Sequence, residues 1–103
     1  MIEMTNCPVR KGLQLFAGKW KTRVLYELIV TNGTLRFGQL QKSITNISNT
    51  MLTATLKELE EMGLVSRKQF NEIPPHVEYS LTESGRALIP IFDAIGIWGK
   101  KYL

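Results

Sequence analysis

At 103 residues with 44% hydrophobic side chains, the chain fits one compact domain whose small core should leave little apolar surface unused. A net charge of +4 permits a nucleic-acid partner without requiring one, and a single Cys excludes an intrachain disulfide framework and suits a reducing interior. No apolar run approaches the roughly 18 residues of a membrane span and the N-terminus lacks a signal-peptide core, so a cytoplasmic, soluble protein is expected.

Residues 1–7 form a short lead-in to Cys7-Pro8. Pro8 suits the first position of a helix through about Ala17, closed by Gly18. Val9, Leu13, Phe16 and Ala17 share one face of it, and Leu15 looks the other way. A second helix over about Lys19 to Val30 turns Trp20, Val24, Leu25 and Leu28 inward and stops at Asn32-Gly33. Lys19, Lys21 and Arg23 crowd its start against the helix dipole, a mild hint of an external anion.

Thr34-Leu35-Arg36 is long enough only for a scrap of strand. A short helix then runs from Phe37 to Ser43, and Thr45-Asn46 makes a turn. The helix that follows is marked at both ends: Ser48 as N-cap, Gly63 in the left-handed position, and Leu64 folding back on Leu59. Met51, Leu52, Thr55, Leu56, Leu59 and Met62 make a buried stripe. The opposite arc carries Asn49, Thr50, Thr53, Ala54 and Lys57 toward its N-terminus, then Glu60 and Glu61 with Glu58 on the flank. Such a helix suits an N-terminus-first approach to a polyanion, although an ordinary solvated face gives the same pattern. Short helix, tight turn and longer helix is the order of a helix-turn-helix, here about 36–62.

Leu64 to Phe70 reads as a strand containing Arg67 and Lys68, and Asn71-Glu72-Ile73-Pro74-Pro75 as a stiff loop. Val77, Tyr79 and Leu81 alternate with His76, Glu78 and Ser80, so the return strand has one buried face. A two-stranded hairpin over about 64–81 after such helices is the layout of a winged helix. Thr82 caps a final helix from Glu83 to about Tyr102, kinked near Pro90. Leu88, Ile91, Phe92, Ile95, Trp98 and Tyr102 cover a wide arc of it, with Ile89 and Ile97 outside. One small subunit cannot cover so much apolar surface, so a second copy is expected, and Gly96 and Gly99 permit close helix approach.

The fold expected is therefore mainly α with a small β-hairpin, a single winged helix-turn-helix domain over 1–103. With these residues in view, the sequence resembles the HxlR-type winged helix-turn-helix transcriptional regulators, relatives of the MarR group. The resemblance rests on Cys7-Pro8-Val9, Gly18-Lys19-Trp20, Arg36-Phe37 with Leu40, and Ile47-Ser48. It continues through Met51-Leu52-Thr53, Leu56 with Glu58-Leu59-Glu60, and Gly63-Leu64-Val65. Pro74-Pro75 with Val77-Glu78-Tyr79, and Leu81-Thr82-Glu83 with Gly85, are its most specific runs. The resemblance implies a homodimeric regulator joined through its N- and C-terminal helices, some of whose relatives sense electrophiles or oxidants through the Cys before that Pro. Two departures stand out. His76 occupies a place where the family usually has Arg, so a minor-groove contact from the wing should be weaker or pH-dependent. Ala54 stands where relatives often carry a long polar residue, and it suits a thymine methyl better than bidentate hydrogen bonding.

The expected partner is double-stranded DNA with an inverted repeat, read in the cytoplasm on the nucleoid. Ser48, Asn49, Thr50, Thr53, Ala54 and Lys57 are expected at bases or adjacent phosphates, and Arg36, Lys42, Arg67, Lys68 and His76 along the backbone. Leu15, Ile89, Phe92, Ile95, Trp98 and Tyr102 are expected at the dimer interface. Cys7 sits where helix N–H groups, Arg10 and Lys11 favour a reactive sulfur toward a small electrophile or oxidant; a buried small hydrophobe is the other reading. No Gly-rich phosphate loop is present, and one Cys with one His offers neither a metal set nor, lacking an orienting third group, a nucleophile triad. No enzyme, cofactor or metal is expected. A winged helix used for protein assembly, favoured only by Glu58, Glu60 and Glu61, is the alternative.

Overall fold

The computed structural model describes residues 7–103, so the lead-in over residues 1–6 lies outside the described residues. Pro8 opens α1 (Pro8–Leu13), with Cys7 as its N-cap and the Lys11 N–H donating to the Cys7 carbonyl at 3.0 Å. The helix expected to reach Ala17 instead tightens into a 3₁₀ turn over Gln14–Phe16, and Gly18 ends the run at φ +83°. The change of pitch rotates Leu15 into the core at 5% exposure while Val9 and Leu13 stay exposed. Leu15 is thus a core residue, not the outward-facing residue expected at an interface.

Helix α2 (Lys21–Val30) starts two residues later than expected, with Trp20 as its N-cap, and buries Val24, Leu25 and Leu28. Strand β1 (Thr34–Arg36) leads directly into α3 (Phe37–Ser43), where the Gln39 side-chain oxygen accepts from the Arg36 N–H at 2.9 Å. Arginine has no acceptor to return, so this is half of a capping box. A turn through Asn46, at φ +68°, delivers the chain to α4 (Asn49–Glu61).

Helix α4 is bounded as its sequence requires. Ser48 Oγ accepts from the Met51 N–H at 3.0 Å. At the other end Gly63, at φ +77°, donates to the Glu60 carbonyl and Leu64 to the Leu59 carbonyl, each at 3.0 Å, the two bonds of a Schellman close. The buried stripe is narrower than the periodicity suggests: Leu52, Thr55, Leu56 and Leu59 are buried, but Met51 and Met62 are 43% and 45% exposed. Both methionines sit at the edges of the arc, past the surface that the core covers.

Strands β2 (Val65–Phe70) and β3 (His76–Leu81) form the expected hairpin, but not alone. β1 pairs antiparallel with the other side of β3, Leu35 opposite Tyr79, giving the order β1-β3-β2. A two-stranded hairpin is marginal in water, and the third strand with its buried face supplies the missing support. The final helix is two helices, α5 (Glu83–Arg86) and α6 (Ile89–Tyr102), broken at Ala87-Leu88. Pro90 does not kink a continuous helix; it sits in the first turn of α6, where a missing N–H costs little.

One core joins these parts: Leu15, Val24, Leu25, Leu28, Leu40, Ile44, Leu52, Leu56, Leu59, Val65, Tyr79 and Leu81 all belong to it, with Trp20, Phe37 and Phe92 packed on its edge. Helix α6 stands apart from it. None of its 14 residues is buried, and only its first half returns to the body, through Phe92 against Phe16 and Tyr26. The result is an elongated molecule, 56 × 32 × 25 Å.

Where α4 ends and α5 begins, the Gly63 carbonyl accepts from Thr82 Oγ1 at 2.6 Å and Ser84 Oγ at 2.7 Å. Gly85 lies against the Leu64 carbonyl, with no room for a Cβ. Gly85→Ala is expected to destabilise the fold by about 2 kcal/mol through forced backbone displacement. Gly12→Ala, whose Cβ would meet nothing within 4 Å, should leave stability unchanged or slightly raised. Urea unfolding of the two variants beside the wild type checks the contrast.

Candidate nucleic-acid interface

Because Leu52, Leu56 and Leu59 are held inside, the opposite face of α4 must point out. Asn49, Thr50, Thr53, Ala54 and Lys57 are all exposed there and together line a shallow depression of about 410 Å³. Residues 50, 53, 54 and 57 have the i, i+3, i+4, i+7 spacing of one stripe. The side chains are short along most of it, and that shortness makes the depression. Ser48 lies at its N-terminal edge, but its oxygen is engaged in capping.

The acidic end is set back. Glu58 meets Lys21 Nζ at 3.4 Å, and the same ammonium donates to the Gln14 carbonyl at 3.3 Å, so one lysine ties α4 to the 3₁₀ turn. With Glu58 58% exposed, the pair adds little stability and acts mainly to fill the gap between the two segments. Lys21 was legible in the sequence only as part of a basic cluster; its partners come from different elements.

A second cleft, about 390 Å³, lies between α3 and the sheet, lined by Arg36, Gln39, Lys42, Pro75 and His76 among others. Register shows which charged residues share the sheet face beside it. Arg36 and Lys68 both lie opposite Glu78, on β1 and β2 respectively, and His76 is two residues before it on β3. These four share the sheet face away from Leu35 and Tyr79. Arg67 pairs with Tyr79 and therefore lies on the other face. Lys68 and Arg67, adjacent in sequence, are not brought together.

His76 is not a free wing-tip group. Its ring stacks on Phe70 at 4.6 Å between centroids, and Nε2 lies 3.2 Å from a Glu78 carboxylate oxygen. Lys68 Nζ stands 5.0 Å from the Phe70 ring centre. Glu78, which sequence reasoning left out, places a carboxylate among three cationic or basic side chains. Only cross-strand register reveals it. Lys42 is exposed on α3, at the rim of the same cleft.

The expected dimer-contact residues are at hand on α6. Ile95, Trp98 and Tyr102 are exposed, Trp98 and Tyr102 with ring centroids 5.7 Å apart, while Ile89 and Phe92 are half-buried. Beside them, Val9, Leu13, Phe16, Met62, Leu64 and Ile91 line an apolar groove of about 470 Å³. Cys7 is half-buried at the head of α1. Among the described residues there is no cluster of three or more His, Cys, Asp or Glu that would hold a metal, and no helix long and apolar enough to cross a membrane.

Residues 15–103 match the HxlR-like helix-turn-helix family. An uncharacterized HTH-type transcriptional regulator of Methanothermobacter thermautotrophicus is 47% identical over 96 residues, 93% of this chain and 72% of that one. Among solved structures, a MarR-family transcriptional regulator from Porphyromonas gingivalis W83 superposes with a TM-score of 0.87 at 41% identity, covering 100% of this chain and 99% of the other. The redox regulator HypR, in its oxidized form, superposes with a TM-score of 0.80 at 41% identity over 94% of this chain and 98% of its own.

The Ser48 cap separates stability from surface chemistry. Ser48→Ala should lose about 1 kcal/mol of unfolding free energy, whereas Ser48→Asp should retain it, since a carboxylate also caps. The Asp variant places a negative charge at the tip of α4, so it alone should be stable yet weakened toward DNA. Thermal unfolding paired with gel shifts checks both halves.

Proposed function

We propose, from the premise that this chain belongs to the HxlR-like helix-turn-helix family of transcriptional regulators, that it acts as a homodimer on an inverted-repeat operator. The observation that carries this reading is the outward face of α4, small, neutral to cationic and free of carboxylates through Lys57. Two such helices would enter successive major grooves about 34 Å apart on one side of the duplex. Asn49, Thr50, Thr53 and Ala54 would reach base edges, with Ser48 and Lys57 at adjacent phosphates. Arg36, Lys42 and Lys68 would steer the backbone, with His76 beside them at the loop end of the wing and Arg67 reaching it from the opposite face of the hairpin. The protein would work in the cytoplasm on nucleoid DNA.

Support for two copies comes from α6. A 14-residue helix is marginal in water without packing, yet Ile91, Ile95, Ile97, Trp98 and Tyr102 all stand exposed along it, Ile97 at 72%. Ile89, Phe92, Ile95, Trp98 and Tyr102 would meet the second subunit, along with Val9 and Leu13 of α1.

Cys7 is the proposed sensor of an oxidant or small electrophile. Its position at the head of α1, beside the surface assigned to dimerisation, supports this, as does the likeness to a redox regulator. With one Cys in the chain, a lasting disulfide would join two subunits or a small thiol.

Binding to a promoter fragment should weaken with salt at a log–log slope of roughly −5 to −9, for six to ten neutralised phosphates. Lys57→Ala should flatten that slope by about one. A slope near zero for the wild type would rule out the proposed mode. In sedimentation, the wild type should run as a dimer and Ile95→Glu as a folded monomer that binds operator DNA at least about ten-fold more weakly. Peroxide, diamide or a quinone should change the operator affinity of the wild type and leave Cys7→Ser unaffected, as read by gel shift.

A further inference from the structure

We infer that each half of the operator is read chiefly through a thymine methyl group seated in the depression between Thr50, Thr53 and Ala54. The inference rests on the proposed entry of α4 into the major groove and names what it recognises there. Three observations carry it. First, the depression exists because Ala54 presents only a Cβ between the two threonines and Lys57, one turn on, at its far edge. Second, the core seam leaves α4 no freedom to turn a different face outward, since Leu52, Leu56 and Leu59 are each no more than 1% exposed. Third, the surface exposed in the depression is mostly apolar, although Ala54 alone among its five residues lacks a polar group.

Bidentate recognition of guanine takes a forked or long cationic side chain, and recognition of cytosine takes a carboxylate. The face has no Arg, Asp or Glu between Asn49 and Lys57, and its one cation lies at the end of the stripe. Asn49, at the N-terminal edge, is the one amide here and suits adenine N6 and N7. Between Asn49 and Lys57 the face offers methyl groups: the Cβ of Ala54 and the Cγ2 atoms of Thr50 and Thr53. A thymine C5 methyl is the one apolar group that a base pair offers in the major groove. Thymine O4 beside it accepts a hydrogen bond, which a threonine hydroxyl can donate; cytosine presents an amino donor there and no methyl. Shape and apolarity select thymine over cytosine at this place, while the threonine hydroxyls, which donate or accept, serve either base.

The test needs no variant at its first step. Duplexes selected by the wild-type protein from a random pool should carry an inverted repeat with a thymine fixed in each half-site. Replacing those thymines one at a time by deoxyuridine removes the methyl and leaves pairing intact. At one position per half-site, affinity should fall about four-fold, the loss expected for one methyl-sized group returned to water. Replacing both symmetric positions should cost about fifteen-fold. Ala54→Ser, which sets a hydroxyl against the methyl, should shrink the thymine-to-deoxyuridine ratio below two-fold, with unchanged circular dichroism and oligomeric state. If every deoxyuridine duplex binds like the thymine duplex, the methyl reading is overturned while operator binding stands. If Ala54→Ser keeps the full ratio, Ala54 is not the contact and the inference likewise fails. If selection enriches no duplex, the proposed DNA-binding mode itself is wrong.

Discussion

The rotation of α4 about its own axis is fixed by Leu52, Leu56 and Leu59, which share one core with Val24, Leu25 and Leu28 of α2 and with Leu40 and Ile44 at α3. Each fully buried leucine contributes on the order of 2 kcal/mol by leaving water. Turning the helix by one residue, about 100°, would expose this row and bury Asn49, Thr53 and Lys57 in its place. No surface interaction in the molecule approaches that cost. The polar face is therefore presented as a consequence of the core, and the Ser48 cap and Gly63 close fix where it starts and stops.

The same logic extends to the sheet. β3 lies at its centre, with Tyr79 and Leu81 turned to the core and Glu78 turned away. That alternation places Arg36, Lys68, His76 and Glu78 on one surface, although they come from three strands. Glu78 tempers the positive charge of this surface and holds His76 against Phe70. The wing is consequently a braced extension of the domain. It hangs from the helical body through β1, and its base is latched to α5 by Thr82 and Ser84 on the Gly63 carbonyl.

Against this well-packed half stands an apolar surplus. α1 and α6 expose Val9, Leu13, Ile91, Ile95, Ile97 and Trp98, and Phe92 links the first half of α6 to the body through Phe16 and Tyr26. Cys7 lies at the head of α1, and Lys21 connects the adjoining 3₁₀ turn to Glu58 on α4. One ammonium thus has partners both in the 3₁₀ turn and on the helix that faces outward.

Much of this was readable from the chain alone, because local rules determined it. The N-cap Ser48, the left-handed Gly63, the apolar spacing of α2 and α4, the alternation in β3 and the motifs of the family are all set by neighbours within a few residues. Family membership follows from those motifs, and residues 15–103 bear it out. What tertiary structure alone decided are the features that depend on residues far apart in sequence. Leu15 faces inward because the helix tightens after Leu13 to meet the core; periodicity, which assumes constant pitch, put it outside. Met51 and Met62 are exposed because the core covers less of α4 than their hydrophobicity suggests. The third strand, the break before Ile89 and the company of His76 depend on pairing, on a proline's place in a new first turn, and on cross-strand register. Local sequence specifies the elements, and the long-range packing decides which of their faces meet.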